Sequence, residues 1–230
     1  MQEQAARAAR RDRWSAALAA GPLPGAGLFD LLRDYGIPTV AARSAASLAE
    51  ASQAAARLGY PVAVKTDTPG IAHKSDVGGV RLGLADPASL AAAYADLSAR
   101  LGPGVTVTEM AGAGPELILG MARDPALGPL VVIGAGGILA EFLADRAVAL
   151  PPLTEQSAAA LIARLRSARL LSGFRGQPAT DLAALAAAVA AFSTLVTDLA
   201  DQLAAFDINP LICTPDGPVA VDALAVPARN

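Results

Sequence analysis

The chain has 230 residues, 53% hydrophobic and 17% charged, with a net charge of −3, which suits one large domain or two associated lobes and excludes a disordered composition. One cysteine and one histidine exclude an internal disulfide and leave tetrahedral zinc without its usual soft ligands, so any metal has to be held by oxygens, as Mg²⁺ is. A pI near 5.1 gives no reason to expect nucleic acid. Mean hydropathy of +0.43 reflects the abundance of alanine, and no uncharged, proline-free apolar run reaches membrane-spanning length.

The N-terminal "MQEQAARAARRDRW" has no apolar core of signal-peptide type behind it, so the expected location is the cytoplasm. Residues 1–24 are expected to be a tail and linker, with "LAAGPLPGAG" as the linker proper. "LFDLLRDYGIP" has apolar residues at helical spacing and a Gly36/Pro38 stop. Residues 44–58 predict a helix capped by Ser44 and ended by Gly59. "PVAVKT" predicts a strand with Lys65 near its end, followed by a loop over 67–78 and a second strand, "GVRLGL". Asp86 followed by Pro87 is a helix start. "GVTVTEM" alternates as a strand does. After "AGAGP", strands are expected at "ELILGMARD", 128–133, 138–142 and 146–150, then helices at 154–165 and 181–200. Two final strands, "AAFDINPLICT" and "GPVAVDALAV", are joined by Pro215-Asp216-Gly217. The expected fold class is α+β, in two halves meeting near 109–115.

Four constellations stand out. The loop "KTDTPGIAHKSDVGG" holds both lysines, Lys65 and Lys74, and the one histidine, His73. Glycines beside ammonium groups suit phosphate, although a solvated hairpin loop fits the residues as well. Asp207 and Asn209, two apart on a strand, share a face, with Asp222 on the return strand. A turn centred on Pro215-Asp216 sets Asn209 opposite Asp222, and a turn shifted by one makes them diagonal neighbours. Three oxygen side chains there suit Mg²⁺ or simply make a solvated polar row. Glu109 and Glu116 flank the mid-chain link, where they suit hydroxyl or amine recognition or plain surface charge. "GAGGILAEF" has nucleotide-loop glycines with no helix signal after them.

In order along the chain, "GYPVAVKTDTPGIAHKSDVGGVRLGL", "VTEMAGAGPELILGMARDPALGPLVVIGAGGILAEF" and "DINPLICTPDGPVAVDA" resemble the ATP-grasp domain of the ADP-forming acyl-CoA synthetases, relatives of the succinyl-CoA synthetase β subunit. The resemblance runs from about residue 25 to 227. It implies an ATP-grasp fold of two α+β lobes, about 25–109 and 110–227, enclosing ATP or ADP. It also implies Lys65 on the phosphates, Glu109 at the adenine, Glu116 at the ribose, and Asn209 and Asp222 on Mg²⁺ with Asp207 assisting. Lys74 and Arg123 are expected as phosphate neighbours, and His73 as the phosphoryl relay. A neutral imidazole is a competent nucleophile toward the γ-phosphorus. The implied partner is a CoA-binding and ligase α subunit, in an α₂β₂ assembly, because one histidine and 230 residues cannot complete that cycle.

One departure is visible. Ala149 stands where relatives carry an arginine, and Arg146 is the expected substitute. Two other readings remain open at this stage. One is a free-standing carboxylate–amine ligase that does not need His73, and the other a non-catalytic nucleotide-sensing or scaffold subunit.

Overall fold

The computed structural model describes residues 2–71, 73–137, 144–173 and 178–228. In chain order these form α1 (Gln2–Ala20), α2 (Gly25–Asp34), β1 (Ala42–Ala45), α3 (Leu48–Leu58), β2 (Val62–Thr66), β3 (Val80–Leu84), α4 (Pro87–Leu101) and β4 (Val105–Glu109). There follow β5 (Glu116–Asp124), β6 (Gly128–Ala135), β7 (Arg146–Ala149), α5 (Glu155–Ile162), α6 (Ala168–Leu171) and α7 (Leu182–Leu199). A 3₁₀ turn (Ala200–Gln202) then leads to β8 (Leu203–Thr214), β9 (Gly217–Ala220) and β10 (Ala223–Pro227). The chain divides into two compact units, Pro24–Phe29 with Val40–Ala111, and Met1–Leu23 with Asp30–Thr39 and Gly112–Asn230. The strand expected at 138–142 lies outside the described residues.

The smaller unit is an antiparallel sheet in the order β1-β4-β2-β3. Its core is formed by Val62, Val64, Val105 and Val107 on one face of the sheet with Ala51, Ala54, Leu90 and Leu97 of α3 and α4. Asp86 caps α4 through the Ser89 N–H (2.7 Å), with Pro87 in the first turn. The cap of α3 is Ser47, not Ser44, which falls inside β1. Ser47 is followed three residues later by Glu50, whose carboxylate accepts from the Ala46 N–H at 2.7 Å. The Glu50 N–H in turn donates to Ser47 Oγ at 3.2 Å, and these two bonds fix the helix start three residues later than the first serine suggests.

The larger unit is a second antiparallel sheet, β10-β8-β5-β6-β7, with β9 continuing the β10 edge along β8. One face carries Leu117, Leu119, Met121, Val131, Ile133, Phe206, Ile208 and Leu211, all buried. The same core includes α7, with ten buried residues from Leu185 to Leu199. By length and composition α7 is apolar enough to cross a membrane; burial in this unit accounts for that composition. Cys213 of β8 is also buried, which pushes its thiol pKa up to about 12.

The N-terminal segment is a helix rather than a tail. Alanine, arginine, glutamine and glutamate are good helix formers, but α1 buries little besides Leu18. Polar contacts hold it instead. Arg7 donates to Asp198 through Nε (3.0 Å) and Nη2 (2.7 Å), and Tyr35 donates to the same carboxylate at 3.2 Å. Arg10 lies 4.1 Å from the centre of the Tyr35 ring. Asp34 accepts from Arg13 and from Trp14 Nε1 (2.6 Å).

Asp198→Ala is expected to lower stability by about 2 kcal/mol in denaturant titration, because it strips a charged acceptor from two donors. It should also open α1 to proteolysis while leaving the sheets folded. Burial acts to raise the Asp34 pKa, but the hydrogen bonds from Trp14 and Arg13 outweigh it and hold the carboxyl below its ordinary range. Its contribution is therefore present at neutral pH and lost as pH falls below about 4. Thermal melts from pH 7 to pH 3 check the sign.

Candidate functional site

In the smaller unit Lys65 is the fourth residue of β2, paired with Val80 on one side and Thr106 on the other. Pleating sends Val62 and Val64 into the core beneath the helices and Lys65 to the opposite face. There Lys65 is 7% exposed, beside buried Thr106 and Thr108. Asp67, just past the strand, accepts from Thr106 Oγ1 and from the Gly25 N–H (3.1 Å) at the start of α2. His73 is exposed and Lys74 half-buried on the loop between β2 and β3. That loop closes on itself through the Gly79 N–H to Lys74 carbonyl bond (2.7 Å) and returns to β2 through the Thr66 N–H to Gly79 carbonyl bond (2.8 Å).

Glu109 ends β4 opposite Val62, so the register turns it away from the Lys65 face. Its carboxylate accepts from the Ala41 N–H at 2.8 Å, tying β4 to the chain just before β1.

In the larger unit four expected residues share one face of the sheet, the one opposite the helix-covered core. Glu116 pairs with Ile212 and Asp207 with Gly120. The hairpin turn falls on Pro215-Asp216, since Thr214 pairs with Gly217 and Leu211 with Ala220. The same register runs on into Ala223 opposite Ile208 and Leu224 opposite Asp207. Asn209 therefore lies directly across from Asp222, and its N–H donates to the Asp222 carbonyl at 3.2 Å. Against β5 the register shifts between Leu117 and Leu119. Two residues, Asn209 and Pro210, thus oppose the single Ile118, a bulge that re-aims the strand locally. Asp222 Oδ1 accepts from the Ala223 N–H at 3.0 Å, which sets its carboxylate.

Glycines make room for this face. A Cβ on Gly120 would lie 2.3 Å from Asp207 Oδ1, so the carboxylate rests on bare backbone. Gly136 donates to the Glu116 carbonyl at 2.8 Å. A Cβ on Gly137, whose φ is +58°, would lie 2.7 Å from Glu116 Oε2. The glycines of "GAGG" thus cradle Glu116. Reading the sequence by residue type missed this, as it missed Gly120, because the signal is a side chain that is not there.

Arg123 is not part of this face. It is seven residues from Glu116 on β5, an odd offset, and so points to the helix-covered side. Its guanidinium donates to the Leu203 carbonyl (3.0 Å) and to the Ala200 carbonyl, closing the C-terminal end of α7. Arg146 does not replace the side chain missing at Ala149. Both lie in β7, three residues apart, and their partners Gly134 and Val131 lie on opposite faces.

Among the described residues no cluster of three or more His, Cys, Asp or Glu side chains suited to a metal occurs. The donor set at the hairpin is instead two carboxylates and an amide, Asp207, Asp222 and Asn209. All are oxygen ligands on one face, and the space over Gly120 admits the Asp207 carboxylate. That set fits a hard divalent cation that keeps part of its water shell. One unit thus offers a buried ammonium and an exposed imidazole, and the other an oxygen-rich face with a glycine-cradled glutamate. These are the chemical parts of phosphoryl handling.

Comparison with known proteins agrees. The chain is 33% identical over 202 residues to the acetate–CoA ligase (ADP-forming) I subunit beta of Pyrococcus furiosus, covering 84% of this chain and 87% of that one. It is 34% identical over 196 residues to the 4-hydroxybutyrate–CoA ligase (ADP-forming) of Nitrosopumilus maritimus, covering 82% of this chain but only 28% of that longer protein. A solved structure of the dinucleotide forming acetyl-coenzyme A synthetase 1 of Ca. Korarchaeum cryptofilum matches with a TM-score of 0.80 at 33% identity, over 95% of this chain and 100% of that one. That structure holds coenzyme A and Mg-AMPPCP, with its phosphohistidine segment pointing towards the nucleotide binding site. Residues 21–226 match the model of the ATP-grasp domain, and the chain belongs to that family.

Proposed function

We propose that the chain is the nucleotide-binding β subunit of an ADP-forming acid–CoA ligase, carrying a phosphoryl group between ATP and a phosphohistidine at His73. The observation that carries this reading is the position of His73. It is the chain's one histidine, exposed on the loop that leaves β2 just after the buried Lys65.

In the ATP-consuming direction an imidazole nitrogen of His73 attacks the γ-phosphorus. A P–N bond forms as the bond to the β,γ-bridging oxygen breaks, and ADP departs. Lys65 neutralises the phosphate oxygens, and its burial strengthens that interaction. Glu116 accepts from ribose hydroxyls, held in place by Gly136 and Gly137. Asp207, Asn209 and Asp222 would hold the divalent cation, Mg²⁺ in this reading, which supplies further charge neutralisation. The acyl group and coenzyme A belong to a partner subunit with its own domains, in an assembly of two copies of each chain. Two relatives named as β subunits, of comparable length, support this division of labour.

Radiolabel from the γ-phosphate of ATP should appear on wild-type protein as an acid-labile, base-stable adduct and be absent from His73→Asn, with Mg·ATP binding unchanged in calorimetry. Full turnover of His73→Asn with its partner subunit overturns the relay. Gly120→Ala should fold normally, as judged by circular dichroism, since the displaced atom is the end of a short side chain. It should weaken Mg·ATP binding by about tenfold by pushing aside one charged ligand, while nucleotide binding in EDTA changes little.

A further inference from the structure

The loop that carries His73 is fastened at one end by side chains that have no place in the scheme above. Val77 and Gly78 form its C-terminal root, and apolar packing does not hold them, for Val77 is 42% exposed. Their carbonyls are held by guanidinium groups instead. Arg100 donates from Nη1 to the Val77 carbonyl (3.1 Å) and from Nη2 to the Gly78 carbonyl (3.0 Å). Arg81 donates from Nη1 to the same Gly78 carbonyl (2.9 Å) and to that of Val80 (3.0 Å).

Asp96 locks the two arginines together. It accepts from Arg81 Nη2 (2.6 Å), Arg100 Nε (2.9 Å) and Arg100 Nη2 (3.0 Å). Asp96 and Arg100 are one turn apart on α4, so a single rigid helix supplies both. Gly78 adopts φ +60°, with all three donor nitrogens 3.9 Å from where its Cβ would be. Gly79 has no room for a side chain, because a Cβ there would meet Thr66 Cγ2 at 2.7 Å and the Lys74 carbonyl at 2.9 Å. The chain of contacts is therefore continuous. Helix α4 holds the Val77 and Gly78 carbonyls, the Gly79 N–H holds the Lys74 carbonyl, and Lys74 is the neighbour of His73.

The geometry points to Arg100, Asp96 and Arg81 as positioning residues for His73, a clamp that fixes the C-terminal root of its loop so that the imidazole is presented in one orientation for phosphoryl transfer. This rests on the relay role proposed for His73. The clamp acts through the backbone at 77–79. An arginine fork can hold two adjacent carbonyls and a carboxylate together, whereas a lysine ammonium cannot match that geometry. Reacting groups misplaced by about 1 Å lose on the order of a hundredfold in rate, so loosening the root is expected to appear in the transfer step and not in nucleotide affinity.

The test uses the full chain as wild type, Arg100→Ala, Arg100→Lys and Asp96→Asn. Three readouts are taken: the rate of γ-phosphate labelling at saturating Mg·ATP, the Mg·ATP dissociation constant, and NMR. In NMR the single histidine gives one imidazole signal, and amide exchange at Gly78 and Gly79 reports on the root. Arg100→Ala should slow labelling by about tenfold to a hundredfold, shift the imidazole signal, speed amide exchange at Gly78 and Gly79, and leave the dissociation constant unchanged. Arg100→Lys and Asp96→Asn should fall between it and wild type. Unchanged labelling in Arg100→Ala and Asp96→Asn overturns the clamp as a positioning device, even if amide exchange rises. If no form of the protein is labelled, the relay fails, and the imidazole signal alone decides the clamp. A shift in Arg100→Ala sustains it and an unmoved signal overturns it.

Discussion

The larger unit depends on the register of its terminal hairpin. Once Thr214 faces Gly217 across Pro215-Asp216, every pair behind the turn is determined, including Asn209 with Asp222 and Asp207 with Leu224. Strand side chains alternate strictly, so a slip of one residue would carry Asp207 and Asn209 into the helix-covered core and bring Phe206 and Ile208 out to solvent. The free energy of burying Phe206, Ile208 and Leu211 is thus the same free energy that keeps the oxygen donors on the open face. The bulge at Asn209-Pro210 lets the alternation restart, so that Leu211 is inward again although Asn209 is outward. The core and the row of oxygen donors are two sides of one alternation.

The smaller unit follows the same logic with the opposite sign of charge. Valines at 62, 64, 105 and 107 face α3 and α4, and the intervening positions place Lys65, Thr106 and Thr108 on the other face. Lys65 is held by a central strand paired on both sides, whereas His73 is held by a loop whose attachments are hydrogen bonds to backbone carbonyls. A cation fixed by paired strands and an imidazole on a loop clamped at its root suit the phosphoryl transfer proposed for this chain, which depends on charge neutralisation and on placement.

Much of this was legible in the sequence wherever the determining contacts are local. The Pro-Asp-Gly turn, the Asp86/Pro87 helix start and the alternation through Lys65 each lie within a few residues of what they determine. Even the face of Arg123 was legible, because its odd offset from Glu116 sends it to the other side. Likeness to a motif concealed that parity. What could not be read is long-range or negative. The α1 helix has no apolar stripe, and its partners Asp34, Tyr35 and Asp198 are distant in sequence. Glu109 is matched to a backbone N–H nearly seventy positions away. Gly120, Gly136 and Gly137 matter through the side chains they lack, which no count of residue types reveals.

Burial of Cys213 has a practical consequence. The chain's one thiol is 1% exposed in the sheet core, with its ionisation pushed out of the physiological range. Maleimide and disulfide reagents attack the thiolate, so the native protein is close to inert toward them. A cysteine introduced at an exposed position such as Val77 or Leu82 would therefore be the chain's single reactive thiol. A fluorophore or spin label placed there would report on its own surroundings without Cys213 having to be replaced.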